Sequence, residues 1–133
     1  MKTFKKLTLA VLALAFAATA MARTTFTIGG DEKTYNQIRI VNRTSQENFK
    51  CRLVIVDPND NSKTLKEYGI YELKEKGDSD SNTDKIKRGT TLAIEMENSF
   101  EGEIYVTIDY IDAPFFDAVM VYLYDQAPEF NAE

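Results

Sequence analysis

Residues 103–111 read Glu-Ile-Tyr-Val-Thr-Ile-Asp-Tyr-Ile, and residues 116–124 read Phe-Asp-Ala-Val-Met-Val-Tyr-Leu-Tyr. Asp112-Ala113-Pro114-Phe115 lies between them. Each run alternates with period two, the repeat of a strand whose side chains point to opposite faces in turn. Pairing Ile111 with Phe116 sets Ile104, Val106 and Ile108 across from Leu123, Val121 and Val119, all on one face. Tyr105 then opposes Tyr122, Thr107 opposes Met120, and Asp117 opposes Tyr110. A slip of one residue would mix the two faces, so the apolar pattern selects the hairpin. Proline at the second central position of a tight turn is disfavoured, which predicts a wider loop.

The same period runs back along the chain. Leu92, Ile94 and Met96 alternate with Ala93, Glu95 and Glu97, predicting a half-buried strand over 91–97. Ile38 and Ile40 flank Arg39, and Phe26 and Ile28 interleave with threonines before Gly29-Gly30-Asp31, a turn signal. Residues 50–57 begin by alternating and become continuously apolar at Leu53-Val54-Ile55-Val56, the mark of a central strand covered on both faces. Asp57-Pro58-Asn59-Asp60-Asn61 ends it. Residues 63–76 fit a helix loosely, but Gly69-Ile70-Tyr71 favours a strand. Residues 75–87 are polar and charged and predict a mobile loop. About seven short strands with regular turn signals predict an all-β fold, an antiparallel sandwich of immunoglobulin-like architecture, with a small open barrel as the alternative.

The first residues belong to export rather than to the fold. Lys2, Lys5 and Lys6 precede an apolar run from Leu7 to Ala20, and Ala20-Met21-Ala22 supplies small residues for cleavage before Arg23. Residues 1–22 therefore read as a secretory signal peptide, 23–125 as a single domain and 126–133 as a disordered tail. The apolar run is shorter than the ~20 residues of a membrane span. The expectation is a periplasmic, extracellular or surface protein without membrane insertion.

Composition narrows the chemistry. The 133 residues hold 16 basic and 21 acidic side chains, a net charge of −5, with no histidine, no tryptophan and one cysteine. Cleavage would remove three lysines and leave 111 residues at −8. An acidic chain is a poor match for nucleic acid. Imidazole metal ligands, histidine bases and an intramolecular disulfide are excluded outright. Cys51 shares a face with Phe49, Leu53 and Ile55, which predicts a buried, inert thiol. An intermolecular disulfide is its functional alternative.

Three acidic groups are candidates for chemistry. Asp57, Asn59 and Asn61, and separately Asp78, Asp80, Asn82 and Asp84, have the spacing that opens a calcium loop. Both lack its glycine and its final glutamate, so turn chemistry is the better account. Asp109, Asp112 and Asp117 surround the hairpin apex, where a carboxylate pair could serve hydrolysis only with a cleft. Asn42-Arg43-Thr44 matches a glycosylation acceptor and reads as coincidence.

The feature left over is aromatic. Tyr105, Met120, Tyr122 and Tyr124 fall on the face opposite the aliphatic one, forming a stripe suited to stacking or to a protein interface. The expected function is a non-enzymatic exported module, without cofactor or metal, that contacts another protein in the bacterial envelope or on the cell surface. A carbohydrate-binding module using the tyrosine face is the alternative.

Overall fold

A computed structural model describes residues 24–31, 34–82 and 84–127. The expected signal peptide, residues 1–22, and residues 128–133 of the expected tail lie outside the described residues. Those described contain ten strands and no helix. In chain order these are β1 (Thr24–Thr27), β2 (Thr34–Tyr35), β3 (Ile38–Asn42), β4 (Phe49–Asp57), β5 (Asp60–Leu73), β6 (Ser79–Asn82), β7 (Ile86–Lys87), β8 (Thr91–Met96), β9 (Tyr105–Ala113) and β10 (Phe116–Tyr124).

The strands form two four-stranded sheets, β9-β10-β3-β6 and β1-β8-β4-β5, and a β2-β7 ribbon, and no barrel closes. The all-β expectation holds. One hydrophobic cluster draws on both large sheets, with Ile38, Ile40, Val119, Val121 and Leu123 from the first and Cys51, Leu53, Tyr71, Leu92 and Ile94 from the second. The layering is sandwich-like. Among the described residues no helix is long and apolar enough to cross a membrane.

The last hairpin forms, but its register is two residues from the expected one. Val106 pairs with Leu123, Ile108 with Val121, Tyr110 with Val119, and Ala113 with Phe116. A slip of two keeps every side chain on its face, so hydrophobic alternation cannot detect it. The turn decides between the two registers. In the observed one Pro114 and Phe115 are the central residues, and Pro114 takes the first central position, where its fixed φ fits a tight turn. The loop is therefore tight rather than wide.

Three further expectations are corrected. Residues 75–87 are not simply a loop, because β6 pairs with β3 and β7 pairs with β2. The sheets are also not wholly antiparallel, because β10 runs parallel to β3 from Val119–Ile38 to Leu123–Asn42. Strand β8 is buried on both faces rather than half-buried, with Leu92 and Ile94 inward and Ala93 and Glu95 outward. Strand β4 is central as its apolar run predicts, between β8 and β5. The stretch that could have been a helix is the long strand β5. Register shifts after Leu53, Ile55 and Val56 let its fourteen residues pair with the nine of β4.

Edge strands β6 and β5 come from different sheets and abut. Asp80 Oδ2 accepts the Glu72 N–H at 2.9 Å, Asp78 Oδ2 accepts the Lys74 N–H at 2.8 Å, and Asn82 Nδ2 donates to the Tyr68 carbonyl at 3.3 Å. Gly69 makes this approach feasible, since a Cβ there would meet Asn82 Nδ2 at 2.3 Å. At the opposite side β9 and β1 are the outermost strands. Tyr110 Oη accepts the Gly29 N–H there at 2.7 Å, and the Tyr110 ring packs on Tyr35 with centroids 5.5 Å apart.

Candidate functional site

The outer face of the β9-β10-β3-β6 sheet carries the four residues singled out by alternation. Tyr105 lies directly across from Tyr124, Tyr122 from Thr107, and Met120 from Asp109. The parallel neighbour β3 sets Val41 beside Tyr122 and Arg39 beside Met120. The partners of Tyr105, Tyr122 and Met120 differ from those expected because of the two-residue register shift, yet all four share the face.

These side chains are neither sealed nor loose. Tyr105 is 38% exposed, and Met120, Tyr122 and Tyr124 are half-buried by one another and by their neighbours. On the same face Ala118 and Val41 are buried beside them. Arg43, just after β3, holds its guanidinium 5.1 Å above the Tyr122 ring, within cation–π range. Arg39 donates from Nη1 to Ser79 Oγ at 2.9 Å. The face thus combines three phenols, a thioether and two guanidinium groups on a rigid sheet. Alternation within β9 and β10 located the first four. The arginines could not be located that way, because the parallel β3–β10 pairing joins segments about 80 residues apart.

The other candidates resolve into structure. Cys51 is fully buried, and burial first, then the Asp80 charge, pushes its thiol well above the ordinary range. A thiol that resists ionisation is not a nucleophile. Asp57 Oδ1 accepts the Asn59 N–H at 2.9 Å, and Asp60 Oδ1 accepts the Ser62 N–H at 3.2 Å, which is turn capping. Asp78, Asp80 and Asn82 recur every second residue because they lie along a strand edge and tie down β5. Among the described residues no group of acidic or cysteine side chains is arranged to hold a metal ion.

Asp117 binds Asn36 through both oxygens, accepting from N–H at 2.6 Å and from Nδ2 at 2.9 Å. It sits across from Asp112, not Tyr110. Asn42 and Thr44 of the apparent glycosylation site are buried. Asn42 Nδ2 donates to the Gln46 and Glu75 carbonyls while its Oδ1 accepts from Thr44, so the amide is spent on shaping the loop after β3.

Comparison with known proteins brings no outside assignment: no family model, no curated protein and no solved structure matches the chain.

Proposed function

We propose that this chain is an exported, non-catalytic module that contacts another protein through the tyrosine face of an immunoglobulin-like β-sandwich. In this reading residues 1–22 direct export and are removed, and the domain works in the periplasm or at the cell surface as part of a larger assembly. The observation that carries it is the half-open array of Tyr105, Met120, Tyr122 and Tyr124 beside Arg39 and Arg43. Tyr, Met and Arg are the side chains enriched at the centres of protein interfaces. A preformed sheet face also loses little conformational freedom on binding.

Sugar binding is the alternative use of the same face. Arg43 weighs against it, because its guanidinium occupies one side of Tyr122 where a sugar ring would stack.

Crosslinking in the native envelope, followed by mass spectrometry, tests the proposal. The expected result is a protein partner that is recovered with the unaltered chain and lost from the Tyr105→Ser, Tyr122→Ser double variant, whose melting temperature stays close to that of the parent. A glycan-array signal carried by the same tyrosines, with no protein crosslinked, would establish the alternative instead.

A further inference from the structure

We propose that the free edge of β9 takes up an extended, basic segment of a partner protein as an added strand. This rests on the reading of the chain as a binding module, but it uses the strand edge rather than the tyrosine face.

Strand β9 is the outermost of its sheet and pairs only with β10 among the described residues. It runs nine residues in regular register without a bulge and contains neither lysine nor proline, so the only charges along it are Asp109 and Asp112. Ala113 and Phe116 flank a two-residue turn and form a hydrogen-bonded pair, so the alternate residues Asp112, Tyr110, Ile108 and Val106 direct N–H and C=O outward. Tyr110 agrees, since its N–H donates to Asp109 Oδ1 at 2.8 Å instead of to β10. The core is also incomplete along this side. Ile104, Val106 and Ile108 of the β9 segment and Phe26 of β1 pack against the central cluster but are only partly buried. An added strand with alternating apolar side chains would cover them.

Charge selects the occupant. Every charged residue after Arg88 is acidic: Glu95, Glu97, Glu101, Glu103, Asp109, Asp112, Asp117, Asp125, Glu129 and Glu133. Glu101, Glu103, Asp109 and Asp112 are exposed along the edge, and none is in an ion pair with a described residue. A second copy of β9 would bring these carboxylates together, whereas lysine or arginine on the added strand would face them favourably.

The test is fluorescence anisotropy with a capped peptide of alternating valine and lysine, matched in length to β9. Controls are the valine–glutamate peptide and the lysine peptide N-methylated on one edge. The expected result is binding of the lysine peptide alone, weakened about tenfold by Asp109→Lys and unchanged by Tyr122→Ser with Tyr124→Ser, both on β10. The amide protons of Val106 and Ile108 should gain protection from exchange. Equal binding of the N-methylated peptide, protection elsewhere, or self-association through β9 without peptide would overturn the proposal. The tyrosine variants report on the face alone, so the two readings fail separately.

Discussion

Asp80 on β6 accepts the backbone N–H of Glu72 on β5, joining edge strands of two different sheets at 2.9 Å. With Asp78 and Asn82 it satisfies backbone groups that would otherwise lie open along β5. A polar stretch thereby serves as a seam, and the acidic residues that resemble cation ligands are hydrogen-bond acceptors instead.

The seam can be tested directly. Asp80→Ala removes a charge-assisted bond at a half-exposed position and should cost about 1 kcal/mol. Urea denaturation would measure this, and hydrogen exchange at Glu72 should accelerate in the variant. An unchanged midpoint with unchanged exchange would show that the seam contributes nothing to stability.

Arg52 and Glu95 form a more deeply placed pair on the outer face of the other sheet. Arg52 donates from Nε and Nη2 to Glu95 Oε1, and the Glu95 side chain is only 1% exposed. Removing one partner leaves a buried carboxylate less well compensated. Arg52→Met should therefore destabilise by about 2–4 kcal/mol, discounted for the partial exposure of the arginine. The Arg52→Met, Glu95→Leu double variant should recover much of the loss in the same denaturation experiment.

Tyr71 is fully buried, and its hydroxyl has no hydrogen-bond partner among the described residues. Tyr71→Phe keeps the ring and deletes an unpaired polar group, so the variant should gain about 1 kcal/mol. A loss of stability on thermal melting would contradict this account of the core.

The same region predicts an alkaline limit. Burial, then the Asp84 charge, pushes the Tyr68 phenol from 10.0 up to about 12, and burial also raises Tyr71 and Cys51. Groups raised on folding hold their protons more tightly in the native state. Their contribution is complete at neutral pH and is lost as pH rises past the unfolded values of 9.0 for the thiol and 10.0 for the phenols. Melting temperature should therefore fall steadily between about pH 9 and about pH 12. Tyrosinate absorbance from Tyr68 and Tyr71 should appear only on unfolding, and Tyr71→Phe should shallow the decline.

Gly30 provides a backbone test. Its φ is 82°, and a Cβ there would come within 1.8 Å of Tyr35 Oη, beside the Tyr35–Tyr110 ring contact. Gly30→Ala combines left-handed strain with a clash and should cost about 2 kcal/mol or more. Gly89→Ala shares the positive φ, but nothing lies near its Cβ, so it should cost less. Comparing the two melts separates packing from conformation.

The amino-acid order by itself determined which side chains share a face. Period-two alternation placed Val106 and Ile108 inward and Tyr105 and Tyr122 outward, and it made β4 central, because these are properties of a single extended strand. The tertiary structure alone decided who sits beside whom. A two-residue slip leaves every face intact, so only the geometry of Pro114 in the turn separated the two registers. The parallel meeting of β3 with β10 and the capping of β5 by Asp78 and Asp80 were equally hidden. They join segments through hydrogen bonds and cross-strand contacts that leave no periodic trace in either segment, and only the folded sheets bring Arg43 over Tyr122.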